Sequence, residues 1–329
     1  MTQISRRTFN LGLGTLGGAG LAGFAAARSR ADTWPSRPVT IIMPFAAGSG
    51  TDSMARALAT EFSERLGARF IVENWPGAGG NLGAAAVAKA APDGYTLLFA
   101  TNGPGAVNKL TYKDMPYDPE RDFAPVVLVS EIPAIVAAGP QSPAKTFKEL
   151  LDYTRKTPEP INVGNPGNGT LGHIVAVLVA KQAGIKLNHI PYRGSAPLTS
   201  DLLGGQVALA SDLMATYAPL IADGKLNGIA LISKERYETI PNVPTIKEVG
   251  VNIEGGGWCS VLAPAGTPAE IIDKLNAITN AYLKTDKAKA TLKNLSMTAA
   301  GSTPEQLKAF IASEIAKWRP IVKEANISL

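Results

Sequence analysis

Three glycine-rich loops hold the residues best placed to bind a ligand. They are Pro44-Phe45-Ala46-Ala47-Gly48-Ser49-Gly50-Thr51-Asp52, Asn74-Trp75-Pro76-Gly77-Ala78-Gly79-Gly80-Asn81, and Gly164-Asn165-Pro166-Gly167-Asn168-Gly169-Thr170. Each lies between a short apolar run and a stretch with helical periodicity. Glycine lets a ligand approach the backbone closely. The helix that follows offers unpaired N–H groups and a partial positive charge. A small anion is therefore favoured there without lysine or arginine. In open α/β sheets such loops, beyond the carboxyl ends of the strands, are where ligands sit.

Other chemistries fit these residues less well. Gly77, Gly79 and Gly83 are spaced one residue longer than the dinucleotide fingerprint, and no Gly-Lys-Ser/Thr phosphate loop is present. Gly48-Ser49-Gly50 is not the G-x-S-x-G nucleophile elbow. A catalytic triad would have to use His173, at the start of a helix, or His189, within a strand. Asp52 would serve as a base, but an acid in a first helical turn also acts as a cap. With two histidines and one cysteine, Cys259, the chain offers neither a disulfide nor a recognisable metal set, and we expect no metal and no cofactor. The reading is a binding protein rather than an enzyme. An enzyme would turn its ligand over; a receptor returns it unchanged.

The loops need a scaffold, and the sequence supplies an α/β one. Pro38–Met43 reads as a strand buried on both faces. Met54, Leu58, Phe62 and Leu66 then recur on one helical face closed by Gly67. Strands follow at Phe70–Val72 and Tyr95–Ala100, with an Ala-rich helix at Asn81–Lys89 between them. Thr146 to Glu149 forms a capping box, and Ile161–Val163, Leu187–Ile190, Val207–Ala210, Ile229–Ile232 and Val261–Ala263 are further strands. A buried helix runs from Leu171 to Ala183, ended by Gly184. Thr303-Pro304 opens a C-terminal helix with Leu307, Phe310, Ile311, Ile315 and Trp318 on one face. Pro125–Gly139, with Pro133 inside it, and Glu254–Trp258, with three consecutive glycines, suit crossovers between two lobes. The alternative is one large sheet with surface loops. On the two-lobe reading residues 32–130 and 257–329 form the first lobe and 131–256 the second.

Residues 1–31 read as an export signal. Ser5-Arg6-Arg7-Thr8-Phe9-Asn10-Leu11 precedes a mild apolar run to Ala27, too weak and short for a membrane span. The paired arginines fit a twin-arginine signal, with an ordinary secretory signal as the alternative; cleavage fits after Ala27 or Ala31. This segment carries four arginines and no acid, so the remaining chain of about 298 residues has 28 basic against 27 acidic residues. A net charge of +1 gives no case for nucleic-acid binding. The expected location is the periplasm.

The same loops, taken in order, resemble the Bug-type receptors of tripartite tricarboxylate transport systems. Pro44-Phe45 through Asp52 resembles that family's P-F-x-x-G-G-x-x-D loop, and Glu73 through Asn81 its E-N-R-P-G-A-G-G-N segment. Further similar blocks are Trp34-Pro35-Ser36-Arg37-Pro38, Pro92-Asp93-Gly94-Tyr95, Gly167-Asn168-Gly169-Thr170, Pro191-Tyr192-Arg193-Gly194, Asp201-Leu202-Leu203-Gly204-Gly205 and Ala263-Pro264-Ala265-Gly266-Thr267-Pro268. The resemblance implies a type II-like periplasmic-binding-protein fold with two lobes, two crossover strands and a ligand cleft between the lobes. It implies a receptor, expected to be a monomer, that delivers a small carboxylate, dicarboxylates among the candidates, to a membrane transporter, or presents its closed form to a sensor kinase. It carries over as ligand-binding residues Phe45, Gly48, Ser49 and Thr51, then Asn81, then Thr101 and Asn102. On the opposite wall it carries over Asn168, Gly169, Thr170 and His173, with Asp212 after the Val207–Ser211 stretch. It pairs the first loop with the third across the cleft. The chain departs from the family at Ser49, in place of a second glycine, at Trp75, in place of arginine, at Asn165-Pro166, in place of two small residues, and at Leu171-Gly172. An apolar wall of Phe45, Ala46 and Leu171 suits an aromatic or apolar-bodied carboxylate.

Overall fold

The computed structural model describes residues 34–253 and 255–329; the export-signal expectation falls on residues outside these. The chain forms two sheets. In order, the elements of the first part are β1 (Val39–Met43), α1 (Gly50–Leu66), β2 (Phe70–Asn74), α2 (Asn81–Ala88), β3 (Thr96–Thr101), α3 (Asn108–Thr111) and β4 (Phe123–Ile132). The chain then crosses at Pro133 into β5 (Ala134–Ala138), α4 (Phe147–Lys156), β6 (Ile161–Asn165), α5 (Leu171–Ala183), β7 (Leu187–Pro191), α6 (Ser195–Leu203), β8 (Leu209–Leu213), α7 (Ala218–Ala222) and β9 (Asn227–Ile232). It returns through β10 (Gly257–Pro264) to α8 (Ala269–Tyr282), α9 (Asp286–Asn294), β11 (Thr298–Ala299) and α10 (Pro304–Glu324).

The six-stranded sheet has the order β11-β4-β10-β3-β1-β2, and the five-stranded sheet β7-β6-β8-β5-β9. In each, three parallel strands are followed by an antiparallel strand that has just crossed from the other lobe: β10 beside β3, and β5 beside β8. This shared order is the type II-like arrangement, and one large sheet is excluded. The two crossings run side by side, with Gly257 registered against Ile132. Glycine is needed there: a Cβ on Gly257 would sit 2.2 Å from Leu213, and one on Gly256 would sit 3.0 Å from the Ile132 carbonyl oxygen.

Local signals account for the elements. Gly67 and Gly184 end α1 and α5 in the left-handed conformation. Thr303 and Gln306 form a reciprocal capping box at α10. At α4 only half of the expected box forms: Thr146 accepts from the Glu149 N–H, while Glu149 Oε2 accepts from Lys145 N, one residue before the cap. Two boundaries differ from the sequence reading. Glu131 and Ile132 remain in β4 of the first sheet, so the crossing falls at Pro133. The strand expected at Val207–Ala210 lies at Leu209–Leu213, because the Gly204-Gly205 turn runs on to Ala208 and pairing with β5 fixes the register from Leu209.

Buried aliphatic and aromatic side chains fill three clusters. One lies between β1, α1, β10 and α8 in the first lobe, around Met54, Phe62, Phe99 and Tyr282. A second lies beneath α6 and α7 in the second lobe, around Leu198, Leu202 and Tyr217. The third draws on both lobes, joining Leu98 and Trp258 to Val163, Ile174 and Trp318. Glu314 Oε2 accepts from the indole N–H groups of both Trp258 and Trp318, so α10 is pinned to the returning strand.

Candidate functional site

The three loops stand at the carboxyl ends of β1, β2 and β6, where the two lobes meet. In the first loop Ser49 is the N-cap of α1: its Oγ accepts from Asp52 N at 3.1 Å and lies 2.9 Å from Thr51 Oγ1. The serine that departs from the family pattern thus does the capping work. Asp52 instead organises the loop. Its carboxylate accepts from Gly48 N, from the Arg56 guanidinium and from Asn74 Nδ2, while the same Asn74 amide donates to the Phe45 carbonyl oxygen. Burial alone would raise the Asp52 pKa, but these donors outweigh it and hold the carboxyl below its ordinary value. An ionised, fully engaged carboxylate is a girder rather than a catalytic base.

In the second loop Gly79 and Gly80 both have positive φ. Asn81, the first residue of α2, uses its Oδ1 to accept from Asn108 Nδ2 and Tyr117 OH. Thr101 ends β3 and Asn102 follows it; both are buried, and Asn102 Nδ2 has no hydrogen-bond partner among the described residues.

In the third loop Thr170 precedes α5, but its hydroxyl donates to the Gly167 carbonyl at 2.6 Å and does not cap the helix. Helices α2, α5 and α6 all begin without a side-chain cap. Their first N–H groups are therefore free of side-chain acceptors, unlike those of α1, α4, α9 and α10. His173 Nδ1 accepts from Gly169 N, and its ring meets that of His189 edge-on at 5.3 Å. Burial, with the neighbouring His189, lowers the His173 pKa to about 4, so the ring is neutral and serves as an acceptor that holds the loop. Asp212 lies within β8 rather than in a loop after it, and is fully buried. Its oxygens accept from Leu213 N and Tyr217 OH. Burial pushes its pKa up to about 6 against the lowering pull of Ser195 and these two donors.

The lobes touch at these loops. A Cβ on Gly79 would sit 2.4 Å from the Asn168 carbonyl oxygen, and one on Gly167 would sit 3.2 Å from Gly79 Cα. Tyr112 OH donates to that same Asn168 oxygen at 2.7 Å. Gly50 N donates to Thr216 Oγ1, and Ala46 N to the Arg193 carbonyl. The contacts thus set the second loop against the third, and the first loop against Arg193 and the Ala215-Thr216 turn. The sequence reading, which paired the first loop with the third, had not anticipated these partners, nor Tyr112, Asn108 and Tyr117. No motif marks them, because they meet the loops only through the fold.

A cavity of about 370 Å³ opens between the lobes, lined by Phe45, Pro76, Gly79, Pro166, Tyr192 and Arg193 among others. This is the size of a small-molecule site. A larger one, about 950 Å³, lies on the hinge side between the crossings, α9 and α10. None of the sequence-predicted ligand residues lines that larger space; of them Phe45 lines the smaller one, and Gly79 and Pro166 bring the second and third loops to it. The candidate site is therefore the smaller cavity and the loop ends beside it.

Known proteins place this architecture. The tripartite tricarboxylate transporter family receptor model matches residues 54–327. BugT of Bordetella pertussis is 36% identical over 310 residues, covering 94% of this chain and 95% of its own. An R. palustris protein solved with adipate superposes with a TM-score of 0.86 at 35% identity, covering 90% of this chain and all of that one. MatC from Rhodopseudomonas palustris, with bound malate, superposes at 0.84 with 32% identity, covering 88% of this chain and all of its own. The periplasmic binding protein BugD gives 0.86 at 35% identity, with 90% and 100% covered. With two lobes joined by paired crossings and glycine loops facing one another between them, the chain belongs to the tripartite tricarboxylate transporter receptor family of periplasmic solute-binding proteins.

Proposed function

We propose that this protein captures a small carboxylate between its lobes in the periplasm and delivers it, chemically unchanged, to a tripartite tricarboxylate-type membrane transporter. One observation carries the reading: the starts of α5 and α6, which no side chain caps, open from the second lobe onto the glycine loops of the first, with Gly48 against Ala196 and Gly79 against Asn168. Oriented N–H groups and helix dipoles favour an anion there. Similar proteins solved with adipate and with malate support a carboxylate. The family's transporter role supports delivery to a permease over presentation to a sensor kinase. Among the described residues no helix is long and apolar enough to cross a membrane, in keeping with a receptor that needs a membrane partner.

In this reading Ser49 and Thr51 bring backbone and hydroxyl groups from the first loop, Gly48 lets the ligand approach the backbone closely, and Phe45 is an apolar wall. Asn81, Thr101 and Asn102 complete the first lobe's side. Asn168, Gly169 and Thr170 form the facing side, and His173 and Asp212 hold it in shape. Residues 34–132 and 257–329 move as one lobe, and 133–253 as the other. Binding to both faces favours the closed state over the open one, which is what drives closure.

Thermal unfolding of ligand-stripped mature protein against mono-, di- and tricarboxylates, aromatic ones included, tests the reading. A bound ligand at a hundred times its dissociation constant adds about 2.7 kcal/mol of stability. A raised midpoint with one class, and recovery of that compound intact, is the expected result. No shift with any carboxylate, or conversion of the compound, contradicts it.

A further inference from the structure

The lobes also touch behind the hinge. In the first sheet β2, β1 and β3 lie on one side of the crossing strands β10 and β4, and β11 lies on the other. In the second sheet β7, β6 and β8 lie on one side of β5, and β9 lies on the other. The glycine loops all leave strands of the first group, so β9 and β11 are the far-side strands. Both have an end at the level of the crossing. Ile232, the last residue of β9, is registered to Ala134, the first of β5. Thr298, the first residue of β11, is registered to Glu131, one before the end of β4. The chain after β9 is anchored in the second lobe, where Ile240 and Val243 are buried beside Tyr217. The turn before β11 is anchored in the first, where Met297 is buried in the cluster of Phe62 and accepts from Ser130 Oγ.

These two segments meet through three pairs. Tyr237 OH lies 2.8 Å from Thr298 Oγ1, Thr239 Oγ1 lies 3.0 Å from Ser296 Oγ, and Lys293 Nζ lies 3.5 Å from Glu238. The ion pair is exposed and adds little. Ser296 is buried, and its φ of 50° is a left-handed conformation that few side chains adopt. That conformation sets its hydroxyl against Thr239 of the other lobe. The large hinge-side cavity runs from Pro133 and Gly256 at the crossings to Thr239 and Ser296. The pairs therefore stand off the hinge axis. Two bodies turning about the crossings move as a seesaw, and a rotation that parts the glycine loops presses the far side together. Hydrogen bonds already at 2.8 and 3.0 Å have no room to shorten, so opening must slide or break them.

We infer that Tyr237 with Thr298, and Thr239 with Ser296, form a latch behind the hinge that is made only in the closed protein. None of the four lines the interlobe cavity. They set the balance between open and closed forms, and with it the apparent affinity and the release rate of the ligand. This rests on the closure reading above and goes beyond it by naming contacts that control closure without touching the ligand.

A reversible cross-link supplies the test. Thr239→Cys with Ser296→Cys places two thiols where the hydroxyls meet, and the native Cys259 is buried away from oxidant. The pair should oxidise faster with saturating adipate or malate than without. The oxidised, ligand-free protein should show the radius of gyration of the liganded wild type, release ligand at least 10-fold more slowly, and regain wild-type behaviour on reduction. Separately, Tyr237→Phe with Thr239→Val removes both hydrogen bonds. It should raise the dissociation constant about threefold to thirtyfold through faster release, with unchanged melting of the free protein. No cross-link in the presence of ligand, an oxidised protein that keeps the free radius and free rates, or an unchanged release rate in the second variant overturns the proposal. A wild-type radius that does not fall on binding sinks the closure reading instead.

Discussion

Gly50→Ala separates closure from folding. Gly50 is the first residue of α1 and has an ordinary backbone conformation, so alanine brings no strain to its own lobe. Its new Cβ would meet Ala215 of the other lobe, at 2.6 Å from Cβ, 2.8 Å from the carbonyl carbon and 2.9 Å from the oxygen. Two of those three atoms are backbone and cannot swing away. Overpacking of this kind costs about 1–3 kcal/mol. Because Ala215 lies across the cleft, the cost falls on the closed state alone. Any gain in helix propensity, at most about 1 kcal/mol, acts equally on open and closed forms and cancels from their ratio. At about 1.4 kcal/mol per factor of ten, the dissociation constant should rise roughly 5- to 150-fold. The assay is calorimetric titration beside thermal unfolding of the ligand-free protein. We expect weakened binding with an unchanged or slightly raised free-state midpoint. Unaltered affinity would show that this contact is not part of the liganded form. A fall in the free-state midpoint matching the loss of affinity would show that Gly50 serves the fold and not closure.

Other consequences follow from the same geometry. Tyr112→Phe removes the interlobe bond to the Asn168 carbonyl and should weaken ligand binding by about 1 kcal/mol, close to fivefold by titration, while the free protein melts as before. Asp52→Ala strips Gly48 N, Arg56 and Asn74 of their shared acceptor and should destabilise the free protein by about 2–4 kcal/mol in denaturant unfolding, with binding lost as the first loop slackens. The pH dependence of stability contains two opposed contributions. The folded pKa of Asp212, raised to about 6, gives stability that is full below about pH 4 and is lost as pH rises through 6; that of His173, lowered to about 4, gives stability that is full above about pH 6.5 and is lost as pH falls through 4. Each is worth about 3 kcal/mol, and they offset one another between pH 4 and 6. Asp212→Asn should therefore steepen the rise of stability with pH across that window by up to about 1.4 kcal/mol per unit, and His173→Gln should reverse it. Parallel profiles for wild type and both variants would refute the assignment.

The sequence carried the fold because its signals are local. Apolar runs, Gly67 and Gly184 as helix stops, and Thr303-Pro304 as a helix start each act within a few residues, and each holds in the structure. The crossings were legible because Pro133 and the glycines around Gly256 interrupt otherwise apolar strands. The site was legible in its loops and not in its contacts. Ser49 as a cap and Asp52 as the loop's girder depend on partners one turn or one strand away, such as Asn74. Tyr112 and Thr216 are ordinary residues in their own segments and acquire meaning only when the lobes bring them beside Asn168 and Gly50. Asp212 was placed one element too late, because the turn after Gly205 delays β8 by two residues and so draws the acid inside the strand.

The central claim is that both lobes grip one carboxylate, and small-angle scattering tests it most directly. The ligand-stripped mature protein is measured alone and with a saturating carboxylate identified by thermal shift. The account predicts a larger radius of gyration in the free protein, and a fall on binding to the value calculated for residues 34–329 in the closed arrangement described here. A radius that stays the same while the carboxylate is demonstrably bound would contradict it, since the ligand would then be held by one lobe or outside the cleft.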